Sequence, residues 1–208
     1  MMNLDCRGDK NKEAIVRDYL LKPLIYSTLL EEQQKLGCCG KLEREYYVFR
    51  AKHKKNNNEF SFFVGKHCAE KFLLLIDHPK LNLFNLFISE TKNEHTQNSS
   101  SDGSSGLKKI HPINKELIEA IHILTTSWNS PPPPSVISII EFTHNNESIV
   151  NKKGIKWFNE KLVYDKQKRT MTEIYLDLKN TNKKIRNFSF EKLKSYFSDN
   201  FPNETNRF

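Results

Sequence analysis

Long apolar runs are missing from this sequence of 208 residues: the stretch from Phe72 to Ile76 is bounded by Lys71 and Asp77. A membrane-spanning helix needs about 20 consecutive apolar residues, so the sequence predicts none. The N-terminal stretch from Met1 to Cys6 lacks a basic region followed by an apolar core, which is the pattern of a secretory signal. These absences predict a cytoplasmic protein without contact to membranes.

Motifs of the common enzyme classes are also missing. The chain has 7 glycines, and none of them builds a phosphate-cradling loop. Neither a Gly-x-Ser-x-Gly nucleophile turn nor a His-Glu-x-x-His zinc motif occurs. The sequence therefore gives no sign of a P-loop nucleotide site, an α/β-hydrolase nucleophile or a zincin-type protease, and it leaves open whether the protein is an enzyme.

Cysteine is scarce, with 4 residues in the chain. In a long chain without a secretory signal, reduced thiols in a metal site or in the core are favoured over disulfides. Three of the four lie between Cys38 and Phe72, and Cys6 stands far from them in sequence. We therefore expect Cys6 to be an isolated N-terminal thiol.

Acidic residues are outnumbered by basic ones, and the formal net charge is +8. The excess is spread out, at +3 over residues 1–100 and +5 over residues 101–208. A modestly basic surface favours anionic partners such as nucleic acid without establishing one. The abundance of Lys, Asn and Ile fits an AT-rich genome, bacterial or mobile.

The fold is predicted to be α+β, with two small domains. The N-terminal domain, residues 1–88, is expected to contain helix over 9–36 with a kink at Pro23, a β-hairpin made of 46–49 and 60–64, and a helix over 68–77. Residues 89–109 are polar and low in complexity, which predicts a flexible linker.

The C-terminal domain, residues 110–208, is predicted to be mainly helical with one β-hairpin. The amphipathic stretch 113–128 predicts a helix, Pro131 to Pro134 a rigid extended connector, and 136–142, 155–163 and 190–197 further helices. Apolar residues alternate over 173–179, which predicts a strand paired with 184–188. We expect the tail from Pro202 to fray.

The stretch from Cys38 to Phe72 resembles small zinc-knuckle modules of the treble-clef type. The matching residues are Cys39-Gly40-Lys41, before the predicted hairpin, and Val64-Gly65 followed by Cys68, where the next helix opens. The chain departs from the usual pattern, because position 36 is leucine and position 71 is lysine where further cysteines would be expected.

The resemblance implies that one zinc ion is bound by two ligands from the knuckle and two from the helix start. With the departures noted, the predicted ligands are Cys38, Cys39, His67 and Cys68, with His53 as an alternative to His67. Four protein ligands imply a structural site. Two other interpretations remain: cysteines buried in a metal-free knuckle, and a redox or catalytic cysteine.

Three functions follow as hypotheses. The first is a non-catalytic protein that contacts nucleic acid through a basic hairpin bearing Arg44, Arg50, Lys52, Lys54 and Lys55. The second is an accessory subunit that docks on a protein partner through the helix over 113–128. The third is a metal-dependent nuclease in which Asp165, Asp177 and Lys179 carry the chemistry, with Asp177 and Lys179 on one face of a strand.

Overall fold

The computed structural model describes residues 4–87 and 110–208, and the α+β class is confirmed. The predicted linker 89–109 lies outside the described residues, and the division into two domains stays a prediction. Residues 4–87 form helix α1 (Asp9–Asp18), strands β1 (Tyr19–Thr28), β2 (Leu36–Gly37), β3 (Gly40–Lys41), β4 (Glu45–His53) and β5 (Glu59–Gly65), and helix α2 (Lys66–Leu75). Residues 110–208 form helices α3 (Pro112–Ser127), α4 (Pro134–Asn145), α5 (Lys152–Lys161), α6 (Met171–Thr181) and α7 (Glu191–Asn200), with a 3₁₀ turn (Leu162–Tyr164) after α5.

The three long strands form an antiparallel sheet in the order β1-β4-β5. The predicted hairpin is confirmed as β4 and β5, with Asn57 at a φ of 58° in the connecting turn. Side chains of β4 are buried on both faces of the sheet: Tyr47 and Phe49 pack toward α1 and α2, whereas Tyr46 and Val48 pack toward the helices of residues 110–208. Burial on both faces explains why this strand is continuously apolar.

The predicted helix over 9–36 is wrong beyond Asp18, because the chain continues as the edge strand β1. Pro23 lacks an amide donor, and an edge strand tolerates this because one of its sides needs no ladder hydrogen bond. The register against β4 shifts between Pro23 and Ile25, so that Pro23 causes a bulge where we expected a helix kink. The spacing of Leu20, Leu24 and Ile25 imitated a helix, but Leu20 is 59% exposed in the strand.

Helix α3 forms the centre of the helical layer and confirms the prediction for 113–128. Leu117, Ala120, Ile121 and Leu124 are fully buried on it, and they belong to the same apolar cluster as Ile25 of the sheet. A helix that is apolar around most of its circumference is one that is enclosed by other elements. The helical layer and one sheet face therefore share a core.

The predicted C-terminal β-hairpin is wrong, because residues 173–179 belong to helix α6. Thr170 and Glu173 form a capping box, in which each side chain accepts a hydrogen bond from the other residue's backbone amide and thereby starts the helix. Leu176 is 46% exposed, although the alternation had grouped it with buried positions. Residues 184–188 contribute one isolated bridge, from Ile185 to Phe87.

The other helix predictions are confirmed by α2, α4, α5 and α7. The residues before α4, Pro131 to Pro133, are extended, as expected of a proline run. The expectation of a frayed tail is wrong: Phe208 is 4% exposed and its ring stacks on that of Phe158. The amide of Arg207 also donates to Asn159 Oδ1 at 2.7 Å, so that the tail packs on α5.

A buried lysine connects the segment before β2 to the end of α3. Lys35 is 1% exposed, and its ammonium donates to the carbonyl oxygens of Thr125 and Thr126, each at 3.0 Å, and to that of Trp128. These carbonyls lie at the helix C-terminus, where the helix dipole favours a cation. Burial lowers the pKa of Lys35 to about 7. The three carbonyl acceptors act in the opposite direction, because only the charged ammonium has three hydrogen atoms to donate to them.

Replacing this ammonium by an apolar group should destabilise the fold. Lys35→Met leaves the carbonyls at the end of α3 without donors, and we expect the free energy of unfolding to fall by about 2–3 kcal/mol. The matched control is Lys115→Met, at an exposed lysine on the same helix, which should change stability by less than about 0.5 kcal/mol. Urea unfolding at neutral pH measures both, and equal stabilities for the two variants would contradict the structural role of Lys35.

Candidate metal centre

Two of the cysteines form the turn of a short β-hairpin. Strands β2 and β3 pair through Leu36–Lys41 and Gly37–Gly40, so that Cys38 and Cys39 are the two residues between them. A Cβ at position 37 would lie 2.6 Å from Leu42 Cδ2 and 3.1 Å from the Phe63 carbonyl oxygen, so a larger residue than glycine would require these neighbours to shift. Gly40 has a backbone φ of +128°, a value that residues other than glycine rarely adopt.

Hydrogen bonds from backbone amides and from the Arg7 side chain hold this turn against the sheet and the N-terminal segment. The Cys38 amide donates to the Phe63 carbonyl at 2.9 Å, which fixes the turn beside β5. The Cys6 amide donates to the Cys38 carbonyl at 3.4 Å, and Arg7 Nη2 donates to the Cys39 carbonyl at 3.3 Å. Cys68 lies in the first turn of α2, which follows β5 directly. Three separate parts of the chain thus deliver cysteines to one place.

Three of the four sulfur atoms form one compact group, and the fourth lies beside one member of it. The Sγ atoms of Cys6, Cys38 and Cys39 all lie within 4.8 Å of one another. Cys38 Sγ is 3.8 Å from Cys39 Sγ, and Cys68 Sγ is 3.1 Å from Cys39 Sγ. Cys6 is at disulfide distance from both Cys38 and Cys39, with Cα–Cα distances of 5.5 Å in each case. One sulfur forms one disulfide, so at most one of these two contacts is covalent.

The Cys38–Cys39 separation of 3.8 Å suits two ligands of one metal ion, whereas Cys6 lies at disulfide distance from both. Zinc–sulfur bonds of about 2.3 Å in a tetrahedron place neighbouring sulfurs roughly 3.8 Å apart. Cys6 is fully buried, and the other three cysteines are half-buried. Cys6, Cys38 and Cys39 are therefore close enough to hold a metal ion, and the same three could hold one disulfide and a free thiol.

The sequence-predicted ligands are brought together in part. Cys38 and Cys39 lie in the group with Cys6, and Cys68 Sγ lies 3.1 Å from Cys39 Sγ. Neither Cys68 nor His67, whose side chain is exposed on α2, belongs to the group of Cys6, Cys38 and Cys39. Whether His67 is a ligand stays a prediction. The expectation that Cys6 is an isolated thiol is wrong. One feature of the sequence could have indicated the position of Cys6. The other three cysteines lie in a single region, and a tetrahedral zinc site there would need a fourth ligand.

A cleft of about 400 Å³ lies beside the cysteines. Cys39 and Cys68 line it together with three cationic side chains, Lys41, Arg44 and Lys66, and two carboxylates, Glu43 and Glu45. Lys66 is neutralised by Glu45, at 2.8 Å, and this carboxylate raises the pKa of Lys66. Lys41 and Arg44 are exposed and make no salt bridge within residues 4–87 and 110–208.

Most of the predicted basic hairpin residues make internal contacts. Arg50 pairs with Glu141 of α4 at 2.9 Å, and Lys52 lies 3.8 Å from Glu59. Lys54 donates to the Val16 carbonyl at 2.9 Å and so satisfies the end of α1.

Of that set, Arg44, Lys54 and Lys55 are exposed and have no ion-pair partner in the part of the chain that the structure describes. Arg44 precedes β4 and the two lysines follow it, so that the strand, with a length of roughly 26 Å at 3.3 Å per residue, lies between them. The five residues therefore do not form one continuous basic surface.

The nuclease hypothesis placed Asp177 and Lys179 on one face of a strand, and the structure has no strand there. Asp177 and Lys179 lie on helix α6, where neighbours two apart point in different directions. Asp165 is 2% exposed and forms a two-pronged ion pair with Arg169, at 2.8 and 3.1 Å. Arg169 also binds Asp177 at 2.8 Å, whereas Lys179 donates to Tyr175 and Asn187. The catalytic role stays an untested prediction that these contacts do not favour.

The hypothesis that a protein partner docks on the 113–128 helix is not favoured by the structure either. The apolar residues of α3, such as Leu117 and Ile121, are covered by other elements of the same chain. A protein partner stays a prediction, and this helix does not offer it an open apolar face.

The ion pair of Asp165 predicts a specific dependence of stability on pH. Hydrogen bonds from Arg169 lower the pKa of Asp165 from 3.8 to about 2. The stabilisation is therefore complete above pH 4–5 and is lost as the pH falls toward 2. Asp165→Asn should unfold with a free energy roughly 2 kcal/mol below that of the wild type at neutral pH, and this gap should close near pH 2.

Urea unfolding of both proteins at several pH values between neutral and acid measures this gap. The control is Asp199→Asn, at an exposed carboxylate on α7, which should follow the wild type at each pH. A gap for Asp165→Asn that does not change with pH would contradict the lowered pKa.

Among the described residues, no helix is long and apolar enough to cross a membrane. In comparisons with known proteins, no curated protein and no solved structure matches the chain. A protein-family model does match, over residues 4–204, so that it spans the knuckle, the sheet and the helical layer. The chain therefore belongs to the family described as "Uncharacterised conserved protein UCP028583".

Proposed function

We propose that the four cysteines hold a structural zinc ion, and that the protein binds nucleic acid without catalysing a reaction. The observation that carries the zinc site is that Cys6, Cys38 and Cys39 form one group of sulfurs, and that Cys68 Sγ lies 3.1 Å from Cys39 Sγ, so that three separate segments supply the cysteines. Thiolates are preferred zinc ligands, and four of them fill a tetrahedron. This set replaces the exposed His67 by the buried Cys6.

The surroundings of the sulfurs support a structural role for the metal. The ion would tie the N-terminal segment and the knuckle turn to the first turn of α2. These elements, with α1, cover one face of the sheet through a small apolar cluster that includes Ile15, Phe49 and Phe72. A thin layer of this kind gains most from a metal cross-link. The order of knuckle, hairpin and helix is also that of the zinc-knuckle modules that the sequence resembles.

Contact with nucleic acid is supported by charge around the cleft. Arg7, Lys41 and Arg44 are exposed near the cysteines, and the chain has a formal net charge of +8. The knuckle would hold these cations in fixed positions, so that they can contact successive phosphates. Such contacts contribute affinity that depends on salt and not on base sequence.

Zinc analysis with single cysteine variants tests the metal site. We expect about one zinc per chain in protein purified under reducing conditions, because four thiolates complete the coordination of one ion. Cys6→Ser and Cys68→Ser should each lose the metal and unfold at lower temperature. His67→Ala should retain zinc while Cys6→Ser loses it. That result would support four cysteine ligands over a set that contains His67.

The disulfide alternative gives a different set of results. A protein with one disulfide would lack two titratable thiols after denaturation without reductant, would contain no zinc and would be stabilised by oxidation. That combination would contradict the zinc site. Zinc bound by wild type and His67→Ala, with four thiols titrated after its removal, would support it.

Fluorescence anisotropy with a labelled oligonucleotide tests the nucleic-acid contact. In the variant Lys41→Ala/Arg44→Ala we expect weaker binding, and a salt dependence shallower by about 1–2 units of log affinity per log salt. The control Lys10→Ala/Lys115→Ala removes two exposed lysines from α1 and α3 and should bind as the wild type does. Equal binding by both double variants would contradict a role of the cleft, provided that both still contain zinc.

A further inference from the structure

A second surface, on helix α5, combines lysines with exposed aromatic rings. Lys153, Trp157 and Lys161 follow at intervals of four residues, which places them along one face of the helix, and Tyr164 follows in the 3₁₀ turn. We define these four residues as the α5 stripe. We propose that the α5 stripe binds single-stranded nucleic acid, with bases stacked on the rings and phosphates bound by the lysines.

The rings of the stripe are unusually accessible for large aromatic side chains. Trp157 is 41% exposed and Tyr164 is 70% exposed. The opposite face of α5 is buried, with Ile155 and Phe158 fully covered by the core. The fold thus anchors the helix through one face and leaves the two rings partly exposed to solvent, as in surface patches that bind partners.

Each ring already carries a cation at its face. Lys153 Nζ lies 4.5 Å from the centre of the Trp157 ring, and Lys161 Nζ lies 5.3 Å from the centre of the Tyr164 ring. A base that stacks on either ring would displace the lysine only a short distance, toward the phosphate of the same nucleotide. Stacking and phosphate contact therefore come from neighbouring side chains, as in proteins that bind single strands.

The charge around the stripe favours an anionic partner. Residues 152–169 contain seven basic and two acidic side chains. Lys156 is paired with Glu204, and Arg169 with Asp165 and Asp177. Lys153, Lys161, Lys166 and Lys168 have no salt bridge to any residue within 4–87 and 110–208. The lysines that remain available thus lie on and beside the stripe.

The geometry favours a single strand over a duplex. Bases of a duplex are stacked on one another and cannot reach side-chain rings, whereas those of a single strand can. Trp157 and Tyr164 are separated by roughly 10 Å along the helix axis, which is about the length of three stacked nucleotides at 3.4 Å each. This inference shares with the proposed function the expectation of nucleic-acid binding, but it uses none of the knuckle residues.

Binding of a fluorescently labelled thymidine oligonucleotide of about 12 nucleotides, within the range of single-strand site sizes, tests the stripe in the full-length protein. Trp157→Ala should weaken binding by roughly fivefold or more, because stacking of one base contributes about 1–3 kcal/mol. Trp157→Phe, which keeps a ring, should retain most of the affinity. The matched control is Phe142→Ala, at a 52% exposed aromatic residue on α4, which should bind as the wild type does.

Intrinsic fluorescence gives an independent readout. The oligonucleotide should quench the tryptophan emission of the wild type, and this quenching should be absent in Trp157→Phe, where Trp128 is the remaining tryptophan. In Lys153→Ala/Lys161→Ala the slope of log affinity against log salt should be shallower by about 1.4, as expected for two lost phosphate contacts on a single strand.

Two outcomes would overturn the proposal. One is unchanged affinity in Trp157→Ala together with no quenching in the wild type. The other is equally tight binding of duplex DNA or of a sulfated polysaccharide, which offer charge without accessible bases. Loss of binding in the Trp157 and Lys153/Lys161 variants, with normal binding in Lys41→Ala/Arg44→Ala, would support the stripe even where the knuckle contact fails.

Discussion

Burial of strand β4 on both of its faces is the constraint on which the rest of the structure depends. The run from Tyr46 to Phe49 has side chains pointing to both sides of the sheet, and each of them is at most 1% exposed. Neither face can be left to water, because several large aromatic side chains would be exposed. One face is covered by the helical layer of residues 110–208, and the other by α1 and α2.

The two coverings differ in thickness, and this difference gives the cysteine cluster its importance. The helical layer has its own central helix, α3, and a large apolar core that includes the sheet face beneath it. The layer of α1 and α2 rests on a smaller cluster, which includes Cys6 and contacts the other three cysteines. A metal ion there would hold Cys6 and the start of α1 to the Cys38–Cys39 turn and to α2, whereas a disulfide would join Cys6 to the turn alone. On the face covered by the helical layer, the buried Lys35 links the segment before β2 to the end of α3 through its hydrogen bonds.

The two proposed binding surfaces rest on different supports. The cations near the knuckle, Lys41 and Arg44, depend on the turn that the cysteines stabilise. The α5 stripe depends on the helical core, because Ile155 and Phe158 anchor the helix whose other face carries Trp157. The α5 stripe is therefore independent of whatever holds the cysteine cluster together.

Local sequence was sufficient to determine the elements whose signals lie within a few residues: the β4–β5 hairpin and helices α2 and α3. The helix α6 was also encoded locally, by the capping box of Thr170 and Glu173, although alternating apolar residues hid it. Only the tertiary structure decided that Tyr19–Thr28 is a strand, since its partner β4 supplies the hydrogen bonds that a lone segment lacks. It likewise decided that Cys6 reaches the cluster, because contacts between residues more than 30 positions apart leave no periodic trace in the sequence.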